Sequence, residues 1–359
     1  MVITLKPSAT KRDKNELLKM LKAEGLEGRV IDGVELSTIN IIGDESQKMD
    51  FLLSLQNLPY VSQFQSISSP YKVISREAHP DYNGEIFNGS WLSTEIRAGK
   101  NGQFVIGGRN KLALMVGPCS IDATDPVALR EIATAGKELG VTGLRGGAFK
   151  PRSEPYTFRG HELKALELGR QVADEYDLVF VTEPVKTEHI DLVIEYADIL
   201  QIGTRNANQG FYLDVAERTM ESQKPILAKR GYSQYLLKEF LPLVLNIYDY
   251  TEDKKNPNMM LCLRGIRTFG DSTRYTLDAG DVPVAKYENI LPVVGDPSHP
   301  AGKERYVVPF AKSLIAAGAD GLLVEVYPHG KTPLSDTAQH IDFKGLEQIV
   351  TFAKQIGRM

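Results

Sequence analysis

Four side chains that could bind a metal ion lie at or just beyond the C-terminal ends of short apolar runs. Cys119 is the next-to-last residue of LALMVGPCS, and His299 is the last residue of ILPVVGDPSH. Glu325 lies in GLLVEVYP, and Asp336 follows in the next loop. A soft thiolate, an imidazole and two hard carboxylates form a donor set suited to Mn, Fe, Zn or Co and poorly suited to Mg or Ca. Each residue alone has an ordinary explanation, since a free cysteine is commonly buried in a core and a glutamate can pair with a lysine. A metal site is therefore expected only if the fold brings the four together.

A second set of side chains is basic, and its members also lie at or just beyond the ends of apolar runs. Surface lysines and arginines usually belong to helices, so this concentration is unusual. Arginine binds phosphate and carboxylate through paired donors, and lysine adds a point charge. The size of the set predicts two phosphorylated substrates, or one phosphate with a carboxylate. The set comprises Arg145, Lys150, Arg152, Arg205, Lys229, Arg230, Arg264 and Arg267.

The elements that must position these side chains are eight short runs rich in Leu, Ile and Val. Each is separated from the next by enough sequence for a helix, which is typical of parallel strands with crossover helices. Eight such units over about 250 residues predict a TIM (β/α)8 barrel in residues 111–359, with functional groups on the loops after the strands. Closing the barrel would bring the first strand beside the eighth and gather the metal candidates. A doubly wound sheet, the alternative, would not be expected to carry charged clusters after nearly every strand. The runs are LALMVGPCS, TGLRGGAF, LVFVTEP, ILQIG, PILAKRG, MMLCLRG, ILPVVGDPSH and GLLVEVYP.

The residues before the barrel predict a separate small domain. Residues 1–69 read as strand, helix, two strands, helix and strand, the βαββαβ order of a ferredoxin-like unit. The first helix is predicted over Thr10–Glu24, with a capping box formed by Thr10 and Asp13, and the second over Gln47–Asn57. This part contains no Cys and no His, so a packing or dimerisation module is the plainer interpretation and a small-molecule sensor the alternative. The strands are VITLKP, RVIDGVEL, STINIIGD and SQFQSI.

Residues 70–110 are predicted to be a turn-rich linker, since Asn-Gly pairs and prolines recur there. The stretch QFVIGGRNKLALM, residues 103–115, is predicted to fold as a hairpin that closes the lower end of the barrel. The whole chain is thus predicted to be an α/β protein, with a TIM barrel preceded by a small ferredoxin-like domain.

Composition limits the partners and the compartment. The chain has 359 residues, 42% of them hydrophobic, which is enough for two cores. A formal net charge of -4 argues against a nucleic-acid partner, so an anionic substrate must be held by local cations. No run is long enough to span a bilayer, and no membrane partner is expected. The start, MVITLKPSA, lacks the apolar core of a signal peptide, and two distant cysteines do not make a disulfide framework. A cytoplasmic location is expected.

A metal beside two anion sites in a barrel predicts addition to a carbonyl, because the ion can polarise the carbonyl oxygen while fixed cations orient the reactants. The substrates are not identified by this pattern. The motifs, however, closely resemble those of the type I 3-deoxy-D-arabino-heptulosonate 7-phosphate (DAHP) synthases, in particular the beta subgroup with an N-terminal ferredoxin-like domain. The resemblance covers nearly the whole chain in motif order, and KPR after LRGGAF is its most specific part. The motifs are GPCS, LRGGAFKPRSEPYTFRG, QIGTRN, LAKRG, LCLRGIRTF, DPSHPAG and VEVYP with LSD.

The resemblance implies a metal-dependent transferase that carries out the first step of the shikimate pathway. Phosphoenolpyruvate condenses with erythrose 4-phosphate in an aldol-type reaction, with one divalent metal (Mn, Fe, Co or Zn) drawing charge onto the aldehyde oxygen. Attack by C3 of phosphoenolpyruvate, addition of water at C2 and loss of phosphate then give DAHP. The resemblance also implies feedback inhibition by Tyr or Phe bound between ferredoxin-like domains of neighbouring subunits, in a homotetramer or homodimer.

The same resemblance implies roles for individual residues. Cys119, His299, Glu325 and Asp336 would be the metal ligands, and Arg145, Arg205, Lys229 and Arg264 would bind phosphoenolpyruvate. Lys150 would lie between the two substrates, Arg152 and Ser153 would hold the phosphate of erythrose 4-phosphate, and Glu183 would lie near the attacking water. The expected catalytic residues are Lys150, Glu183, Cys119 and His299.

Several residues depart from the family pattern and keep two alternatives open. Ser153 replaces a Thr, and Glu154 could repel a phosphate unless it points away or pairs with Arg159. One alternative is a 3-deoxy-D-manno-octulosonate 8-phosphate-type or sialic-acid-type synthase that uses another aldehyde; the other is a catalytically decayed regulatory partner. The remaining departures are Leu263 for Glu, Tyr327 for His and Thr204 for Ala.

Overall fold

A four-stranded antiparallel sheet with two helices makes up the first of the two units into which the chain divides, Met1–Pro70 and Tyr71–Met359. The structure is a computed structural model that describes residues 1–33, 36–42, 48–65, 69–82, 85–87, 89–150, 156, 158–251 and 254–359. The first unit contains β1 (Val2–Leu5), α1 (Lys11–Ala23), β2 (Glu27–Asp32), β3 (Ser37–Ile42), α2 (Met49–Ser54) and β4 (Val61–Gln65).

The sheet order β2-β3-β1-β4 is the arrangement of a ferredoxin-like unit, as predicted. The helix α1 begins after the predicted capping box, because the Asp13 carboxylate accepts the Thr10 N–H at 2.7 Å and the Asp13 N–H donates to Thr10 Oγ1. It ends at Ala23, one residue before the predicted end at Glu24, and Glu24 is its C-cap. The helix α2 is shorter than predicted and is continued by a 3-10 turn over Leu55–Asn57, while residue 47 lies outside the described residues.

A hairpin in the segment before the barrel differs from the predicted one. The segment contains β5 (Ile86–Phe87), β6 (Ser90–Trp91), β7 (Glu95–Ala98) and β8 (Phe104–Gly107). The prediction that residues 103–115 fold back on themselves was wrong, because β8 pairs antiparallel with β7 through the turn at Asn101-Gly102. Residues 113–117 are instead the first barrel strand. Ile96, Ala98 and Ile106 pack against the apolar residues inside the barrel, so the β7–β8 hairpin closes that end.

The second unit is a closed barrel of eight parallel strands, and each predicted apolar run contains one of them, which confirms the predicted fold class. The first strand pairs with the eighth through Gly117 and Glu325. A short hairpin precedes the sixth barrel strand. The elements in chain order are β9 (Ala113–Gly117), α3 (Pro126–Leu139), β10 (Gly143–Arg145), α4 (Leu163–Glu175), β11 (Val179–Thr182), α5 (Ile190–Tyr196), β12 (Ile199–Ile202), α6 (Gln209–Thr219), β13 (Ile226–Lys229), α7 (Leu241–Tyr248), β14 (Asp249–Thr251), β15 (Lys254–Lys255), β16 (Met259–Leu263), α8 (Asp281–Glu288), β17 (Val293–Gly295), α9 (Ser298–Ala301), α10 (Glu304–Ala316), β18 (Gly321–Glu325) and α11 (Phe343–Gln355).

Two apolar layers hold the barrel together. The larger lies between strands and helices, where residues such as Leu144 and Leu322 are fully buried. The smaller fills the interior with alternate residues of the strands, including Met115, Leu227 and Leu323, because successive side chains of a strand point to opposite faces. None of the helices in the described part of the chain combines the length and the apolar character needed to cross a membrane.

We expect Ile106→Ala to destabilise the barrel by about 2 to 4 kcal/mol, because it removes a fully buried side chain from the interior layer and leaves a cavity. Val105, its half-buried neighbour on β8, provides the control, and Val105→Ala should cost no more than about 1 kcal/mol. Urea unfolding of the two variants measures both changes. Equal effects would show that the hairpin does not contribute to the interior core.

Candidate active site

Polar side chains lie directly above the apolar interior layer of the barrel. On six strands an apolar residue of the interior is followed, two positions later, by a polar residue at the carboxyl end. Because residues two apart in a strand share a face, the polar residues also point into the barrel. The strand pattern thus builds one polar floor. The pairs are Val181 and Glu183, Ile199 and Gln201, Leu227 and Lys229, Cys262 and Arg264, Val294 and Asp296, and Leu323 and Glu325.

This floor opens into a cavity at the carboxyl ends of the strands, here called the mouth cavity. Its lining contains cations from four of the barrel's strand-end segments and carboxylates from two. Most of the residues predicted from the sequence meet there, while Cys119 and Glu325, each 1% exposed, lie buried in contact with its lining. The charged lining residues are Arg145, Lys150, Arg205, Lys229, Arg264 and Arg274, with Glu183 and Asp336.

Three of the four predicted metal ligands converge. One ligand atom each of Cys119, His299 and Glu325 lies within 4.8 Å of the other two. Asp336 does not join this group, although its Oδ2 lies 2.9 Å from Cys119 Sγ, because its Oδ1 accepts a hydrogen bond from Arg274 at 2.9 Å. The Asp336 backbone has a φ of 52°, an uncommon value for a residue other than glycine. Asp336 is therefore next to the group but held by other partners.

Glu325 is fixed in place by neighbours on three sides. Its Oε2 accepts a hydrogen bond from Gln339 at 2.6 Å, its Oε1 accepts one from Arg145 at 3.2 Å, and its backbone N–H donates to Ser298 Oγ. Burial opposes ionisation, but His299 and Arg145 outweigh it and lower the pKa of Glu325. The group is a carboxylate at neutral pH.

His299 is oriented by Asp296, a fully buried carboxylate. The distance from His299 Nδ1 to Asp296 Oδ2 is 2.7 Å, which leaves Nε2 facing Glu325 Oε1 at 3.5 Å. Burial lowers the pKa of His299, although Asp296 opposes the change. Burial thus favours the neutral imidazole, which is the form that binds metal ions, and its Nδ1 lies beside a carboxylate.

Asp296 also holds Lys229, whose Nζ lies 2.8 Å from Asp296 Oδ2. Burial lowers the pKa of a lysine, but Asp296 outweighs burial and raises the pKa of Lys229. Burial likewise opposes ionisation of Asp296, yet His299 and Lys229 hold its pKa well below its usual range. One carboxylate thus supports a candidate metal ligand and a candidate substrate cation.

Cys119 is a thiol rather than a thiolate in this environment. Burial, with a further contribution from Glu325, raises its pKa to about 12. The Sγ donates to Asp336 Oδ2 and accepts a hydrogen bond from Lys150 Nζ at 2.8 Å. The Cys119 N–H donates to His340 Nε2 at 2.9 Å, and His340 Nδ1 lies 3.0 Å from the Asp336 carbonyl oxygen. His340 therefore joins the loop after the first strand to the loop after the eighth.

The donors present fit a divalent transition metal. The group offers a sulfur, an imidazole nitrogen and an ionised carboxylate. This is a borderline donor set rather than the all-oxygen set that Mg or Ca prefers. The Cys119 proton would have to leave on binding, as is general for thiol ligands.

Donors without partners identify the anion-binding part of the cavity. Among the described residues, Arg264 Nε and Nη2 and Arg145 Nε are buried and have no hydrogen-bond partner. Buried N–H groups are rarely left unpaired, so these donors indicate a ligand rich in acceptor oxygens. Glu183 lies near them, and its Oε2 accepts a hydrogen bond from Gln201 at 2.5 Å. A Cβ on residue 203 would lie 2.7 Å from Glu183 Oε2, so a side chain there would displace the carboxylate from this position.

Comparison with known proteins identifies the family. Residues 93–359 match the family model of the DAHP synthetase I family, and residues 1–69 match that of the DAHP synthase ferredoxin-like domain. The chain belongs to the DAHP synthetase I family. It is 37% identical to the phospho-2-dehydro-3-deoxyheptonate aldolase of Thermotoga maritima over 99% of this chain and 97% of that protein.

Solved structures of Thermotoga maritima proteins agree with this assignment. The crystal structure of a phospho-2-dehydro-3-deoxyheptonate aldolase, or DAHP synthase, matches with a TM-score of 0.78 and 35% identity over 99% of this chain and 96% of that one. A truncated DAHP synthase matches over 80% of this chain and 96% of its own, with a TM-score of 0.65. A 2-dehydro-3-deoxyphosphooctonate aldolase of Fusobacterium nucleatum is 26% identical over 75% of this chain and 98% of its own. The family, the fold class and the DAHP synthase reaction predicted from the motifs are confirmed.

Two arginines of the predicted basic set do not reach the mouth cavity of this DAHP synthetase I family member. Arg230 turns to Asp281 and to the carbonyl oxygen of Gln234, and Arg267 is exposed and lies over the Tyr232 ring. Neither residue had been given an individual role, and neither lines the mouth cavity. Arg152 and Ser153, predicted to bind the second phosphate, and Glu154 lie outside the described residues.

The departures from the family pattern differ in whether they line the mouth cavity. Leu263 and Tyr327 belong to the apolar layer between strands and helices, so neither lines the mouth cavity, although the Tyr327 ring contacts His340 edge-on at 5.9 Å. Thr204 does line it, and its Oγ1 lies 3.5 Å from Arg264 Nη1. Of these three departures, Thr204 alone touches a predicted substrate-binding residue.

Several functional residues were not predicted from the sequence. Asp296 and Gln201 could have been found, since each lies two positions after an interior apolar residue of its strand. Arg274, Gln339 and His340 come from long loops, where no periodicity indicates which side chain points inward.

We expect Asp296→Asn to weaken metal binding by about 10- to 100-fold, because a neutral amide supports His299 less well. It should also weaken phosphoenolpyruvate binding, since Lys229 loses its buried counter-charge. Calorimetric titration of the metal-free protein with Mn, and then with phosphoenolpyruvate, measures both. Asp281→Asn is the matched control, because it removes a carboxylate paired with Arg230 outside the mouth cavity. Unchanged affinities in Asp296→Asn would contradict the supporting role.

Proposed function

We propose that the barrel condenses phosphoenolpyruvate with erythrose 4-phosphate at the mouth cavity, with one divalent metal (Mn, Fe, Co or Zn) as cofactor. The observation that carries the proposal is the meeting, in one cavity, of a group of possible metal ligands and buried arginine donors that have no partner. The first group suits activation of an aldehyde and the second suits a phosphate or carboxylate, which are the two requirements of this reaction.

The metal would be held by Cys119, His299, Glu325 and Asp336. Bound there, it supplies Lewis-acid polarisation of the aldehyde oxygen. The chain keeps two of these ligands in the required state before the metal arrives, because Asp296 holds the His299 ring and Arg145 holds the Glu325 carboxylate. In Asp336 the oxygen nearer the group is Oδ2, 2.9 Å from Cys119 Sγ, while Oδ1 accepts a hydrogen bond from Arg274.

Phosphoenolpyruvate would be bound by Arg145, Arg205, Lys229 and Arg264. Their charges neutralise its phosphate and carboxylate, and paired arginine donors fix its orientation. Lys150, which contacts Cys119 Sγ on the metal side, would lie between the two substrates.

Glu183 would hold the water that adds to C2 of phosphoenolpyruvate. Gln201 donates to one of its oxygens, which orients the carboxylate, and Glu183 is a lining residue of the cavity. The C3 atom would bond to the aldehyde carbon as the carbonyl π bond opens and its oxygen takes up a proton. The water oxygen would bond to C2 and lose its protons to become the ketone oxygen, while the bond from C2 to the bridging oxygen breaks and the phosphate leaves with that oxygen. The phosphate of erythrose 4-phosphate would be held by Arg152 and Ser153, a proposal that rests on the KPRS motif.

A second candidate function is 3-deoxy-D-manno-octulosonate 8-phosphate synthesis from arabinose 5-phosphate. It is favoured only by the weaker similarity to 2-dehydro-3-deoxyphosphooctonate aldolases, at 25–26% identity. The KPR motif supports erythrose 4-phosphate instead.

The decisive experiment follows loss of phosphoenolpyruvate when each aldehyde is added to the full-length protein. We expect loss with erythrose 4-phosphate that stops with EDTA, returns with Mn, and is absent in Cys119→Ser. Cys262→Ser is the control, since Cys262 is buried in the interior apolar layer. Faster loss with arabinose 5-phosphate would assign the octulosonate reaction, and no loss with either aldehyde in a folded, metal-loaded protein would support the regulatory-partner alternative.

We further propose that the ferredoxin-like domain confers feedback inhibition by Tyr or Phe in a homotetramer or homodimer. The support is its match to the DAHP synthase ferredoxin-like domain and the absence of Cys and His from residues 1–69.

Deleting residues 1–69 should preserve turnover and abolish inhibition by Tyr or Phe. Initial rates of both forms at increasing effector concentration test this, and sedimentation analysis gives the oligomeric state. Retained inhibition in the shortened chain, or none in the full-length chain, would contradict the proposal.

A further inference from the structure

The side chain of Arg264 is held in a way that differs from the other cations of the mouth cavity. Its guanidinium carbon lies 4.3 Å from the centroid of the Tyr275 ring and 5.1 Å from that of the Tyr232 ring. The two rings stack on each other, with centroids 5.4 Å apart and planes inclined by 25°. The guanidinium and the rings thus form a compact triangle, within the range in which a cation is attracted to an aromatic face.

Hydrogen bonds contribute little to this position. Among the described residues, Arg264 Nε and Nη2 have no partner, and Nη1 reaches only Thr204 Oγ1 at 3.5 Å. Arg145 provides the contrast, since its Nη1 donates to the Pro118 carbonyl oxygen at 2.7 Å and to Glu325. A buried charge without hydrogen bonds is costly unless something else stabilises it. At Arg264 the two rings supply the direct contacts that stabilise it, and the buried Asp296 carboxylate adds attraction from a distance.

We infer that Tyr232 and Tyr275 are positioning residues that hold Arg264 by their ring faces and leave its N–H donors free for an anionic group of the substrate. The inference rests on the proposed function in one respect, that the anion is phosphoenolpyruvate. A carboxylate partner would fix the arginine equally well but would occupy its donors and neutralise its charge. Ring faces do neither, so the full charge and the paired donors remain available to the ligand.

The backbone holds both rings where this contact requires them. The Arg267 N–H donates to the Tyr232 carbonyl oxygen at 2.8 Å, and the Tyr275 N–H donates to the Pro300 carbonyl oxygen at 3.1 Å. Between Arg264 and Tyr275 the chain turns back at Gly265, which has a φ of +84° and where a Cβ would lie 2.7 Å from Pro300 Cβ. Ile266 and Thr276 then bond to each other in both directions. The loop is therefore closed at its base, and Tyr275 returns beside Arg264.

The test replaces each ring in the full-length protein and measures phosphoenolpyruvate binding to the Mn-loaded form by calorimetry, without aldehyde. Tyr232→Leu and Tyr275→Leu should each weaken binding about tenfold, because the ring face is lost. Tyr232→Phe and Tyr275→Phe keep the face and should bind as the wild type does. In turnover, the leucine variants should raise KM for phosphoenolpyruvate more than they lower kcat. Tyr306→Leu is the matched control, since it removes a similar contact, 4.9 Å from Arg305, that does not line the mouth cavity.

A second series remains informative if a leucine variant fails to fold. Phenylalanine with one, two and three ring fluorines at position 275 keeps the shape of the ring while weakening its negative face, so the dissociation constant should rise stepwise. Equal affinity across that series, or phenylalanine variants as defective as leucine variants, would overturn the inference. Failure of the wild type to consume phosphoenolpyruvate with either aldehyde would overturn the proposed function instead, while the binding series would still test the tyrosines.

Discussion

The contacts of Asp296 with Lys229 and His299 are the interaction on which the site depends. A fully buried carboxylate is tolerated only when its charge is matched, and here Lys229 supplies the matching charge while the imidazole of His299 lies beside the carboxylate. The lysine stays charged because the carboxylate is present, and the imidazole keeps its free nitrogen towards Glu325. The candidate metal ligand and the candidate substrate cation therefore share one support.

The cations of the mouth cavity are held in three ways, and each leaves a different amount of charge for a ligand. Lys229 is paired with a carboxylate and is largely neutralised. Arg145 shares Glu325 with the metal-ligand group but keeps Nε free. Arg264 is held by ring faces and keeps two nitrogens free. The excess of uncompensated positive charge lies where the unpaired donors point, which explains how a chain of net charge -4 can present a site for anions.

The chain is similar both to DAHP synthases and to 2-dehydro-3-deoxyphosphooctonate aldolases. This double similarity fits a site in which the strands and the loops beyond them serve different substrates. The polar floor built by the strands is suited to a metal and to one shared anionic substrate, whereas loops beyond the strands are free to vary with the second substrate.

The sequence by itself determined the barrel, the small domain before it and most members of the floor. Eight apolar runs, each ending in polar residues, specify parallel strands, and the two-residue period specifies which polar residues point inward; the same rule would have identified Asp296 and Gln201. The tertiary structure decided the strand pairings and side-chain directions that no local sequence period predicts. The turn at Asn101-Gly102 paired β8 with β7 rather than with the segment after it, and Arg230 turned to Asp281. Arg274, His340 and the two tyrosines reach the site from loops. The directions of their side chains depend on partners distant in sequence, which come together only once the barrel has closed.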